Sequence, residues 1–388
     1  MSEVKGRIGI TCYHTFGGSG VLATELGLAL AARGWEVHFV SSRTPSRLSG
    51  YHERVFMHEV EPMHYPLFEF TPFALALAVK QAEVARAFDL DLLHVHYAIP
   101  HATSAWLARQ MLENRRDGAR SFKIITTLHG TDITLVGRDP SYFDVTCFSL
   151  ERSDGITAVS DYLAALTVET FDIELPIRRI HNFVDTDAYF PLVEGPCRED
   201  LGLGEGPLLL HISNFRDVKR IPDLMRIFLR VSRETPAHLM LLGEGPELAR
   251  ALDFARTEGI RDRVHALGRQ EDPACFLAMA DVLLLPSASE SFGLVALEAL
   301  SCGTPVVASR IGGLPEVVRH GHDGFLEEVG DAEAMAARTL ELLGDPVMRA
   351  EFGKNGRQRA ISEFSRDRIV DEYEAYYEEV LASGNAGV

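Results

Sequence analysis

Apolar residues in this chain fall into short continuous runs, each followed by a longer stretch whose apolar positions recur every three to four residues. A run of four to eight with β-branched residues reads as a buried strand, and the longer period reads as a helix packed on it. The first half therefore predicts strands at 7–13, 36–41, 92–95, 123–128 and 155–159. Between them it predicts helices at 21–33, closed by Gly34, at 73–88, and after His101. A second series of runs follows at 208–212, 238–242, 264–266, 281–285 and 306–308. Strands that are apolar throughout, alternating with helices, are the signature of parallel sheets covered on both faces.

The stretch 182–207 breaks both periods and is rich in Pro, Gly and acid, so it reads as a linker. The expected fold is α/β with two doubly wound, Rossmann-like domains, 1–185 and 186–364. A last helix, 365–381, carries Tyr373, Tyr376 and Tyr377. Open α/β sheets bind ligands beyond the carboxyl ends of their strands. The active site is accordingly expected in a cleft between the domains.

Composition narrows the function. With 388 residues, 46% of them hydrophobic, the chain is long enough for two cores. A formal charge of −18 argues against nucleic acid and against stable association with anionic membranes. Five scattered cysteines (Cys12, Cys147, Cys197, Cys275, Cys302) suggest neither a disulfide framework nor a zinc site. That usage, with no leader-like segment ahead of the first strand, predicts a cytoplasmic protein.

Three segments carry candidate chemistry. Gly17, Gly18, Ser19 and Gly20 join the first strand to the first helix, but a dinucleotide site would want an acid after the second strand, where Arg43 stands. His129 emerges at the carboxyl end of the 123–128 strand, where a histidine can hydrogen-bond a phosphate or a sugar hydroxyl. His94, His96 and His101 lie nearby without a carboxylate at metal-ligand spacing. In the second half, Asn214, Arg216 and Lys219 follow the 208–212 strand, and a basic residue there can stabilise a departing phosphate. Glu290 precedes and Glu298 lies inside a helix expected to start at Phe292, Gly293 and Leu294. Its free amides can take a phosphate while the carboxylates accept hydroxyls.

The stretch from Glu290 to Ala308, with Gly312, Gly313 and Glu316 after it, resembles the donor-nucleotide segment of family 4 retaining glycosyltransferases of the GT-B fold. The resemblance implies that Glu290 lies against the transferred sugar, Glu298 holds the ribose, and His129 touches the donor sugar. It implies also that Gly17 and Gly18 face the donor pyrophosphate and that the last helix returns to complete the first domain, as residues 365–388. Family members commonly place an Arg five residues before the Lys; here Asn214 stands there, so the partner role of Lys219 is divided between Asn214 and Arg216.

Within the family, 10–20, 94–101, 127–134 and 180–185 resemble the branch that transfers N-acetylglucosamine from UDP-N-acetylglucosamine to L-malate, a step of bacillithiol biosynthesis. That branch implies an α-glycoside product and an acceptor pocket lined by Ser19, Tyr97 and Thr127. Metal and cofactor are both expected to be absent. An Arg expected before Phe148 is replaced by Cys147. The same fold with another acceptor, such as inositol phosphate or a lipid-linked sugar, and a sugar-nucleotide-binding protein without transfer activity are the alternatives. The apolar stretch 61–75 reads as loop and helix-start packing or as a contact between copies, which leaves a homo-oligomer open.

Overall fold

The computed structural model describes residues 4–14, 18–114, 121–191, 201, 203 and 206–383. The chain divides into two units, residues 1–182 with 366–388, and residues 183–365. Much of the expected linker, including 192–200, and Gly17 of the glycine loop lie outside the described residues.

The first unit holds a seven-stranded sheet in the order β3-β2-β1-β4-β5-β6-β7. Its strands are β1 (Arg7–Thr11), β2 (Glu36–Ser41), β3 (Val55–Glu59), β4 (Leu92–His96), β5 (Lys123–Leu128), β6 (Gly155–Ala158) and β7 (Ile177–Arg179). All pairings are parallel. Helices α1 (Gly18–Ala32), α2 (Phe73–Phe88), α3 (Thr103–Glu113), α4 (Phe143–Glu151) and α5 (Asp161–Phe171) join them. The second unit holds six parallel strands in the order β10-β9-β8-β11-β12-β13. These are β8 (Leu208–Ile212), β9 (His238–Leu242), β10 (Val264–Gly268), β11 (Val282–Leu285), β12 (Val306–Ser309) and β13 (Gly324–Glu327). Around them pack α6 (Ile221–Ser232), α7 (Glu247–Thr257), α8 (Ala274–Met279), α9 (Leu294–Ser301), α10 (Leu314–Val317), α11 (Ala332–Gly344) and α12 (Pro346–Phe364).

Both sheets reverse winding direction beside their first strand. The switch lies between β1 and β4 in one unit and between β8 and β11 in the other. The central strands are apolar because both faces are covered: Leu208, Leu209, Leu210, Val282, Leu283 and Leu284 are all 0–1% exposed. The ends of these strands therefore open at the places where such folds take ligands.

The closing helix α13 (Arg366–Ala382) belongs to the first unit. Arg33 at the end of α1 bonds Asp371 and Glu374 on α13, and the Trp35 indole donates to Glu374 at 2.7 Å. Tyr377, fully buried, hydrogen-bonds through its hydroxyl to His94 Nδ1 at 2.8 Å. The helix thus reaches the core of the sheet through a polar contact as well as an apolar one.

Two readings need correction. Strands β3, β7 and β13 were not expected, and each is an edge. Of the stretch 61–75 the helix start packs, Phe73 lying against the core, but the loop ahead of it does not: Leu67 and Phe70 are each 81% exposed, with Met63 at 74%.

Candidate active site

In the first unit, the loops after β1, β4 and β5 bring two of the three expected acceptor residues, Ser19 and Tyr97, together. Ser19, in the first turn of α1, hydrogen-bonds through Oγ to the Tyr97 hydroxyl at 2.7 Å. Tyr97 follows β4 with φ at 89°, a conformation that costs a residue with a Cβ on the order of 1–3 kcal/mol. Its amide donates to Thr127 O at 2.9 Å, which fixes the turn. Burial pushes its hydroxyl up to about 12, so Tyr97 stays a neutral donor and acceptor.

Thr127 stands elsewhere than the pocket lining expected of it. Its hydroxyl is fully buried and lies 2.6 Å from both His94 Nε2 and Thr157 Oγ1. The strand carries Thr127 inward beneath the surface that Tyr97 presents, so it belongs to a supporting layer. His129 comes out at the end of β5, partly exposed, with Nε2 2.8 Å from His96 Nδ1. Burial holds His129 down at about 3 and His96 well below its usual range, so both rings are neutral near pH 7.

Asp132 organises this end of the sheet. It is 2% exposed and its carboxylate accepts from the Ala98 amide at 2.9 Å and the Gly130 amide at 3.2 Å. One side chain therefore ties the loop after β4 to the loop after β5, and burial pushes it up to about 6. The sequence signal for it was an acid two residues beyond Gly130, but the second loop it binds is remote in the chain.

Beside these residues a cavity of about 480 Å³ opens, lined by Tyr13, Tyr97, Thr103, Asp132, Tyr142 and Val145 among others, with no Lys or Arg. Cys147, where a basic residue was expected, sits on α4 with its Sγ 3.9 Å from Phe171 O. Gly18 opens α1 at an exposed position.

In the second unit the loops after β8 and β11 converge at the switch point. Lys219 ends a turn of 3-10 helix, Asp217–Lys219, and its Nζ lies 2.5 Å from Glu290 Oε1. The Ser287 hydroxyl donates to the same oxygen at 2.9 Å. The two loops are also joined through their backbones, Ala288 N to Val218 O at 2.8 Å. Lys219 and Glu290 were assigned to different parts of a donor; here each neutralises the other. Asn214 and Arg216 are exposed on the loop between, and the Arg216 carbonyl accepts the Lys219 amide at 2.9 Å. Phe215, buried between them with φ at 44°, anchors that loop.

Helix α9 starts at Leu294, two residues later than Phe292, with Gly293 as its cap at φ 97°, a conformation favouring glycine. Phe292 is instead buried, its ring 6.0 Å from that of Phe364. The amides free by helix geometry are thus those of the first turn from Leu294 onward. Glu298 lies one turn into α9, partly exposed. Gly313 supports this loop from behind. Its amide donates to Glu290 O at 2.9 Å, and a Cβ there would come within 2.3 Å of Ser291 O. Among the described residues no group of three or more His, Cys, Asp or Glu could hold a metal ion. No helix among them is long and apolar enough to cross a membrane.

Two doubly wound parallel sheets, one ending in a carboxylate-lysine pair ahead of a helix N-terminus, define the GT-B class of sugar-transferring enzymes. The chain belongs to glycosyltransferase family 4: the model of that name matches residues 16–188, and the model for glycosyl transferases group 1 matches 197–359. Among its relatives, N-acetyl-alpha-D-glucosaminyl L-malate synthase of Bacillus anthracis is 44% identical over 99% of this chain and 100% of that protein. A GDP-mannose-dependent alpha-(1-6)-phosphatidylinositol monomannoside mannosyltransferase of Mycolicibacterium smegmatis is 31% identical over 70% of this chain and 72% of that one. Sucrose-phosphate synthase from Thermosynechococcus elongatus superposes with a TM-score of 0.80 at 24% identity, over 98% of this chain and 100% of that chain. Anabaena HepE, solved with UDP and glucose, gives a TM-score of 0.80 at 19% identity, over 96% of this chain and 99% of that chain.

Proposed function

We propose that the chain transfers N-acetylglucosamine from UDP-N-acetylglucosamine to the hydroxyl of L-malate, releasing UDP and an α-glycoside. What carries this reading is the 44% identity that runs through the whole of this chain and the whole of the malate synthase. The malate hydroxyl attacks the anomeric carbon on the face from which UDP leaves. As the bond to the β-phosphate breaks, that phosphate takes the hydroxyl proton. Lys219 and the first turn of α9 stabilise the charge left on the diphosphate. Glu290 accepts hydroxyls of the sugar and Glu298 those of the ribose. His129 bonds the donor sugar, while Ser19 and Tyr97 orient the acceptor from neutral hydroxyls. Gly18 stands towards the pyrophosphate. Metal is not required in this scheme, and the reaction is a cytoplasmic step of bacillithiol synthesis.

A second reading, the same transfer to a lipid-linked sugar, is favoured by one observation: the cavity beside Tyr97 is lined mostly by apolar and aromatic side chains, Ile99, Pro100, Val136, Tyr142 and Val145 among them. The purified protein, given UDP-N-acetylglucosamine and a panel of acceptors, is expected to release UDP with L-malate. Proton NMR of the product is expected to show the small anomeric coupling of an α-glycoside. A β product, or turnover with a lipid-linked sugar but not malate, would overturn the first reading.

A further inference from the structure

Four histidines cluster where β4 and β5 end, and the proposed reaction uses one. His96 and His129 are stacked, ring centroids 5.1 Å apart, with His96 Nδ1 2.8 Å from His129 Nε2. Each ring is neutral, so each carries a single N–H, and one ring must donate to the other. The His96 residue is held at its backbone and at its ring. His101 Nδ1 donates to the His96 carbonyl at 2.5 Å, and the His94 ring lies 4.4 Å from the His96 ring, itself fixed between Tyr377 and Thr127.

The direction of the bond follows from the remaining nitrogen. His96 Nε2 is buried and has no hydrogen-bond partner among the described residues. Were His96 to accept at Nδ1, its one proton would sit on Nε2, and a buried N–H would point at nothing. Orphaned buried donors are rarer than orphaned acceptors because the proton has no other way to be satisfied. With His96 donating from Nδ1, the orphan is a lone pair and the proton of His129 is forced onto Nδ1.

We propose that His96 is a positioning residue that locks His129 as its Nδ1–H tautomer, so that His129 presents a donor and not a lone pair to an oxygen of the sugar nucleotide. The shared chemistry of that oxygen is a hydrogen-bond acceptor, whether a sugar hydroxyl or a phosphate oxygen. The part concerning ligand rests on the proposed role of His129; the tautomer does not.

The test uses the full chain with nitrogen-15 histidine and long-range proton–nitrogen correlation, the His129 signals being those that vanish in His129→Asn. The resting enzyme is expected to show an Nδ1–H pattern for His129. His96→Asn places an amide N–H where Nδ1–H was, and should keep both that pattern and most of kcat. His96→Phe keeps the ring volume without the donor; it should mix the tautomers and lower kcat by roughly tenfold, the worth of one hydrogen bond, with KM for malate changed far less. An Nε2–H pattern in the resting enzyme overturns the proposal, as does His96→Phe with pattern and kcat unchanged. The remaining first-unit histidine signals report whether that variant is folded, and the resting-enzyme spectrum decides the matter without it. If His129→Asn is fully active, the proposed role of His129 fails while the tautomer result still stands.

Discussion

At the first unit's switch point all but one of the groups are neutral: Ser19 and Tyr97 share a hydroxyl contact, and His94, His96, His101 and His129 are held uncharged by burial, while Asp132, pushed up to about 6, is the one carboxylate, its oxygens taken by backbone amides. At the second unit's switch point the groups are ions, with Lys219 against Glu290 and Glu298 one turn into α9. The same winding thus positions two different chemistries. A neutral site recognises hydroxyls by direction and pays little for being dry. An ionic site handles a diphosphate whose charge grows as it departs, and its own charges must be balanced while it is empty. The Lys219–Glu290 pair is that balance.

The widest separation between the two units should appear in acid. In the first unit His94 and His129 sit at about 3 and His101 at about 4, with His96 lower than its usual range as well; in the second, His211 sits at about 4. Desolvation is the first cause in each. A histidine whose folded value is depressed binds its proton more readily when unfolded. Its contribution is complete above the unfolded value near 6.5 and is lost as pH falls from there towards the folded value. Each such group costs ~1.4 kcal/mol per pH unit across that window, so several titrating together outweigh any single substitution. Hydrogen exchange followed from pH 7 to pH 4.5 should therefore show the first unit opening before the second. Simultaneous opening would mean that the histidines are not the difference between the units.

Next in size is the removal of the cation from the ionic site. Lys219→Met keeps the apolar stem but leaves the Glu290 carboxylate without its partner, and takes away the charge assigned to the leaving phosphate. A fall in kcat of about 10²–10³ is expected, the range for loss of one group aimed at developing negative charge. If kcat is unchanged, some other group neutralises the diphosphate, and the ionic site has been misplaced. Glu298→Gln should do less. A carboxylate that takes two ribose hydroxyls becomes an amide that takes them poorly, weakening UDP by roughly 1.5–3 kcal/mol in calorimetry. Unchanged affinity in a folded variant would remove the ribose from Glu298.

How far each unit could be read from sequence follows the same division. The acids of the ionic site and their helix lie within one continuous stretch and stand in the linear pattern, while Lys219 joins them from a loop 71 positions away; the helix start was misjudged, because Gly293 caps it in a left-handed turn and Phe292 turns inward. The first unit's site is assembled from three loops, those after β1, β4 and β5. His96 and Asp132 act on residues 33 or 34 positions away, and Tyr377 on one 283 away, distances no local period reports. Central strands were legible because burial on both faces makes them apolar throughout. Edge strands β3 and β7 were missed because half their residues face water, which leaves runs such as Ile177–Arg179 too short and too charged to stand out.

The smallest expected effect is none at all, and it tests whether the ionic site is complete as it stands. In glycosyltransferases that use a cation, the metal bridges the diphosphate and neutralises it as it leaves. Here an ammonium and a helix N-terminus stand at the corresponding end of the sheet, and a diphosphate entering that place competes with Glu290 for Lys219. In the proposed scheme that exchange keeps one positive group on the phosphate and frees Glu290 to accept sugar hydroxyls, and so needs no third component. Initial rates with UDP-N-acetylglucosamine and malate should be the same with and without excess EDTA. Loss of activity in EDTA that manganese restores would show that the pair balances charge only in the empty site, and that the departing diphosphate is carried by a cation.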